Sequence, residues 1–166
     1  MRSSDFMRAI PAGVRERLPA ELRDFKTSVR AWLAQLYYGA EPRIHYEAWL
    51  LAPRYHQSPN NRLVEVGLHF ESRVSGENER LLELCYRHLF EIKAELGHQV
   101  EAEPWSRGWT KIYEVLPHPE ASFSVEFLDL VAGRMARYIQ VLQPIIHPPS
   151  AAIERSRARG TRRASH

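Results

Sequence analysis

Val64, Val66, Leu68 and Phe70 alternate with Glu65, Gly67, His69 and Glu71, and this period of two predicts a strand over residues 62–71 with one buried face. Leu82, Cys85, Leu89, Ile92 and Leu96 then recur at three- and four-residue spacing. Residues 76–96 are therefore expected to form a helix, with Ser75 as its N-cap and Gly97 in the left-handed conformation that ends it. Upstream, residues 43–52 alternate as well, with Ile44, Tyr46, Ala48 and Leu50 opposed to His45, Glu47, Trp49 and Leu51. The stretch 53–61, with its prolines and paired asparagines, reads as the loop that joins the two strands into an antiparallel hairpin. Downstream the plan repeats. Strands are expected at 100–105 and 109–116, joined by a turn at Ser106, Arg107 and Gly108. A helix follows from about Ser124 to Gln143, with Phe127, Leu128, Val131, Met135, Ile139 and Leu142 as its apolar stripe.

The N-terminal part looks helical throughout. Phe6, Ile10, Val14 and Leu18 are spaced by four but interrupted by Pro11 and Gly13, which gives two short helical pieces or one kinked helix. From Pro19, the residues Leu22, Phe25, Val29, Trp32, Leu33 and Leu36 fall on one helical face, and that helix is expected to run to about Tyr38. The fold class is α+β: a four-stranded, mostly antiparallel sheet from two β-hairpins, each followed by a long helix packed on one face. Residues 1–149 form a single domain, comprising a helical extension over 1–39 and a ββαββα core over 43–145. The strand order stays open, except that Pro104 belongs on an edge, where a missing N–H costs least.

Composition changes this picture in one place. At 166 residues, 44% hydrophobic and 26% charged, the chain is an ordinary globular one. It carries no apolar run of membrane-spanning length and no secretory leader, so the cytoplasm is the expected compartment. Cys85 is the single cysteine and lies on an apolar stripe, which suits a buried, inert thiol. The formal net charge of +3 comes from the end of the chain: residues 150–166 carry +4, and residues 1–149 carry −1. The expectation is a disordered tail whose Arg155, Arg157, Arg159, Arg162 and Arg163 offer weak, non-specific attraction for nucleic acid, against the simpler reading of a solvated terminus.

Candidate chemistry concentrates on the polar face of the first hairpin. His45, Glu47 and Trp49 share it with Glu65, His69 and Glu71, and a pairing shifted by two residues would set His45 opposite Glu71 and Glu47 opposite His69. Two imidazoles and a carboxylate can bind zinc or iron, or act as acid and base. The simpler reading is a set of cross-strand ion pairs on a wetted sheet face, because no fixed metal-ligand spacing such as HExxH is present. Trp105, Trp109 and Tyr113 from the second hairpin fall on the same side as Trp49, where aromatics can stack bases or anchor a partner. Cover by the helix expected over 19–38 would turn them into a second core layer instead. No phosphate loop, GxSxG or CxxC occurs, and the triplet Glu91, Ile92 and Lys93 lies within a helix. No catalytic, cofactor or metal site is therefore assigned.

The stretch VEVGLHFE, Asn78 at a helix start, FEIKAELG, VEAEPW and WTKIYEV follow one another in an order that resembles an uncharacterised bacterial domain of unknown function. That domain is found at the C-terminus of predicted restriction-endonuclease-like proteins. The resemblance covers about residues 43–145 and leaves out residues 1–38. It implies a DNA-restriction or defence context and an accessory role, with no catalytic motif to carry over. The function expected from all this is a non-enzymatic binding or accessory protein without cofactor, its partner another protein, with self-association open. The alternatives are a small metal-dependent hydrolase using His45, His69 and a nearby carboxylate, and nucleic-acid binding through the tail.

Overall fold

The computed structural model describes residues 1–55, 62–118 and 122–148. Helix α1 spans Ser3–Arg17. Strands β1 (Lys26–Arg30), β2 (Leu33–Tyr37), β3 (Ile44–Leu50) and β4 (Arg62–Phe70) follow, and then helices α2 (Glu77–Arg87) and α3 (Leu89–Leu96). Strands β5 (Glu101–Pro104) and β6 (Thr110–His118) precede the long helix α4 (Val125–Ile146). Among the described residues the strands make one six-stranded antiparallel sheet in the order β1-β2-β3-β4-β6-β5.

Several expectations are corrected here. The sheet has six strands, not four, and the helical extension expected over 1–39 is α-helical only over Ser3–Arg17. The helix expected over 19–38 is instead a short 3-10 turn followed by the β1–β2 hairpin, whose two-residue connection is Ala31 and Trp32. Of the six apolar residues at helical spacing, Val29, Leu33 and Leu36 lie in the strands, whereas Leu22 belongs to the 3-10 turn, Phe25 precedes β1 and Trp32 sits in the connection. Val29, Ala34 and Leu36 then face the helices, whereas Trp32 in the turn is exposed. The first segment is one uninterrupted helix despite Pro11, which is buried in its middle. The helix expected over 76–96 breaks at His88 into α2 and α3. Its N-cap is Gly76 at a left-handed φ of 73°, not Ser75. Gly97 does take a positive φ of 105°, but with an extended ψ of 159° rather than a left-handed turn. The α+β class stands, and Pro104 does lie on an edge strand.

Side-chain alternation sorts the sheet into two faces. One cross-strand row runs Leu36, Tyr46, Leu68, Ile112 and Ala102 from β2 to β5. It packs under α1 and α4, whose stripes supply Phe6, Met7, Ile10, Val14, Val131, Met135, Ile139 and Leu142 to the same core. Fully burying residues of this kind contributes roughly 1.5–3 kcal/mol each, which makes this face the main source of stability. Ser124 caps α4 by accepting the Phe127 N–H at 3.1 Å, and Pro144 sits in its last turn, where it removes the donor that would pair with the Gln140 carbonyl. Cys85 lies in this core, and burial pushes its thiol up to about 12, which leaves it inert. No helix among the described residues is long and apolar enough to cross a membrane.

Candidate functional site

The other face carries the row His45, His69, Lys111 and Glu103, and beside it the row Gln35, Glu47, Gly67, Tyr113 and Glu101. β3 and β4 pair in register, so His45 stands opposite His69 and Glu47 opposite Gly67; the pairing shifted by two is not the one adopted. The helices pack on the opposite face, so the helix expected to cover the aromatics does not do so. Even so, His45 and His69 are 0% exposed, Glu65 3%, Glu47 4% and Lys111 7%. The sheet face expected to be wetted is dry at its centre, while Glu101 and Glu103 on the edge strand are exposed.

Aromatic rings make it dry. The chain between β5 and β6 folds over the sheet through a 3-10 turn at Ser106–Gly108, in which Arg107 adopts φ 64° and ψ 23°. This turn is pinned by the Trp105 N–H donating to the Trp109 carbonyl at 2.8 Å. Trp105 thereby lies edge-on to His69, with ring centres 5.6 Å apart. Trp49 and Trp109 flank it at 6.3 and 5.5 Å. The Lys111 ammonium sits 3.8 Å from the Tyr113 ring centre and 5.2 Å from that of Trp105, so its charge is held partly by π faces.

Beneath the rings the polar groups are paired in a definite order. Lys111 Nζ donates to Glu65 Oε2 at 2.8 Å, and Glu65 Oε1 lies 2.9 Å from His69 Nε2. Glu47 Oε1 is 3.3 Å from the same His69 nitrogen, while its Oε2 is 3.0 Å from His45 Nε2. Gln35 Nε2 reaches both His45 Nε2 at 3.0 Å and Glu47 Oε2 at 3.3 Å. The Pro42 carbonyl can only accept, so His45 carries a hydrogen on Nδ1 and donates it there at 2.8 Å. One buried nitrogen is left over: His69 Nδ1 has no hydrogen-bond partner, and the nearest carboxylate oxygen, Glu71 Oε1, is 3.7 Å away. The indole N–H of Trp105 is likewise buried and unpartnered.

The electrostatics follow from this geometry. Burial by itself pulls the His69 pKa down, but the charge of Glu47, the hydrogen bond to Glu65 and the carboxylate of Glu71 outweigh it and lift the pKa to about 9. For Glu47 burial pushes upward, and the charge of His69 together with the His45 and Gln35 hydrogen bonds holds the carboxyl below its usual value.

Two overlapping triads could take a cation: Glu47, Glu65 and His69, and His45, His69 and Glu71, each with donor atoms within 4.8 Å of one another. In the first triad the Glu65 oxygens and both Glu47 oxygens already face partners. In the second, His69 Nδ1 is free and Glu71 is the member that reaches solvent, its side chain 22% exposed.

Nine residues singled out from the sequence thus meet on one face: His45, Glu47, Trp49, Glu65, His69, Glu71, Trp105, Trp109 and Tyr113. Sequence reasoning missed Lys111, which the same alternation that places Tyr113 would have found. It also missed Gln35, hidden in a segment read as helix. Arg155, Arg157, Arg159, Arg162 and Arg163 lie outside the described residues. Set against protein-family models, curated proteins and solved structures, the chain finds no match in any of the three.

Proposed function

We propose that this chain is a metalloprotein that holds one divalent transition-metal ion on His69, Glu71 and His45. The observation that carries the reading is the state of His69. One ring nitrogen is tied to the Glu65–Lys111 pair, and the other is buried without a partner and faces Glu71 at 3.7 Å. Metal-bound histidines commonly donate their second N–H to a carboxylate in this way, which fixes ring orientation and raises ligand basicity. Charge agrees. With neutral imidazoles, Glu47, Glu65 and Glu71 against Lys111 leave two negative charges, which a divalent ion balances. The ion replaces the extra proton of His69, since a ligand nitrogen must be deprotonated. His45 gives up one of its present hydrogen bonds to join. Imidazole and carboxylate donors suit zinc, iron and cobalt, and an ion reached from the Glu71 side keeps a position open for water or substrate, as Lewis-acid hydrolysis requires.

Cobalt(II) added to chelator-treated protein is expected to give a one-to-one visible absorption band, displaced by zinc, that His69→Gln and Glu71→Gln both remove. A band that survives both substitutions, or none in the wild type, refutes this reading. The non-enzymatic alternative is favoured by a different fact: apart from His69 Nδ1 and the Trp105 N–H, the polar atoms of this cluster are already satisfied without a cation. It would then be an electrostatic latch stiffening a binding face.

A further inference from the structure

Beside Glu71 the surface opens into a cleft of about 440 Å³, lined by Glu41, Pro42, Arg43, Glu71, Arg73, Arg107 and Trp109. Three guanidinium groups converge on it. Arg43 holds Glu41 through Nε at 2.6 Å, leaving the far end of its fork unspent. Arg73 and Arg107 have no carboxylate within ion-pair distance among the described residues. Arg107 is presented by a backbone in the left-handed region, unusual for a residue with a side chain, and its guanidinium lies 5.5 Å from the Trp109 ring centre. Its position is thus set by the same turn that lays Trp105 over His69.

We propose that Arg43, Arg73 and Arg107 make this cleft an anion subsite, which seats the phosphoryl group of a phosphate ester against Glu71 and the cluster behind it. The two carboxylates in the cleft leave it with an excess of one positive charge, so an anion is the complementary ligand. A tetrahedral phosphoryl group offers several oxygens to guanidinium forks approaching from different sides, where a carboxylate offers two. Glu71 belongs both to this cleft and to the His45–His69–Glu71 triad. A group held by the arginines therefore lies next to the proposed ion, and naming a phosphate ester as the substrate class rests on the metal reading. Capture of phosphate itself does not.

The probe is inorganic phosphate, titrated into the full chain while the indole N–H signal of Trp109 is followed by NMR, that signal being assigned by its loss in Trp109→Phe. A saturable shift is expected in chelator-treated protein. It should weaken at least about tenfold in Arg73→Gln/Arg107→Gln and measurably in Arg73→Gln alone. Both side chains are exposed, so the remaining indole signals should keep their positions and report an intact fold. The local signal separates this cleft from any phosphate gathered by the arginines of residues 150–166. No saturable shift at Trp109, or an equal shift in the double variant, overturns the proposal. A phosphate shift that persists in His69→Gln while cobalt binding is absent from the wild type would retain the subsite and remove the metal.

Discussion

On the helix side of the sheet Leu68 is 0% exposed, and one residue later, on the opposite side, His69 is 0% exposed as well. Leu68 owes its burial to the helices packed on that face, and the packing there is apolar. His69 owes its burial to the edge of a single indole and to hydrogen bonds that fit in one arrangement. Apolar packing is non-directional and contributes stability wherever surface is removed from water. A buried ionic network roughly breaks even and sometimes costs stability relative to apolar residues of the same volume. A cluster of this kind therefore adds little net stability where apolar packing would add more. The covered face has its own ion pair, Arg134 with Glu114, but that pair is completed by Gln99 and the Leu96 carbonyl and ties α4 and the end of α3 to β6. Its charged groups are paired, although the buried Tyr138 hydroxyl beside it has no hydrogen-bond partner.

The contrast can be broken from either side. Leu68→Ala should destabilise the domain by about 4 kcal/mol in a denaturant titration, with the same loss at every pH tested, because it opens a cavity and touches no charge. The open face should respond to pH instead. In chelator-treated protein the contribution of His69 is fully present below its ordinary pKa of 6.5 and is lost as the pH rises through about 9. That of Glu47 is present above 4.5 and is lost as acid takes the pH down through its lowered folded value. The melting temperature should fall on the alkaline side by the equivalent of at most about 3 kcal/mol, and His69→Gln should flatten that arm. An alkaline arm unchanged in that variant would mean that the cluster does not hold the proton assigned to it. Gly67→Ala sharpens the comparison, since an added Cβ would meet the Ile112 carbonyl at 2.4 Å and Tyr113 Cβ at 2.7 Å. A loss of about 2 kcal/mol is expected, and a neutral result would show that the open face is loosely packed.

Much of this architecture was legible because each local pattern had one solution. Four strands and α4 were read from alternation and from a long apolar stripe, and the edge position of β5 from Pro104 alone. The hairpin of β1 and β2 was not legible. Its apolar residues happen to fall at helical spacing, and its turn, Ala31 and Trp32, lacks the glycine or asparagine that usually marks a reversal. From that misreading followed the wrong strand count and the wrong expectation of what covers the aromatics. The face shared by His45, Glu47, Glu65 and His69 was visible as parity along two strands. Their dryness was not, because it depends on a turn far downstream in the sequence laying Trp105 back over the sheet, and no local pattern encodes that contact.

α1 and α4 stand at opposite ends of the sequence, yet they share one core. Phe6 stacks on Phe123 at 4.2 Å and on Phe127 at 5.7 Å, and Arg17 reaches Asp129 at 2.9 Å. A chain emerging from the ribosome N-terminus first therefore exposes the apolar stripe of α1 until more than a hundred further residues have been synthesised. The β1–β2 hairpin can close locally within that interval, but the layer that buries Phe6, Ile10 and Val14 is incomplete until α4 arrives. Closure of this layer thus waits for α4, and until then the exposed stripe of α1 is a surface a chaperone can hold.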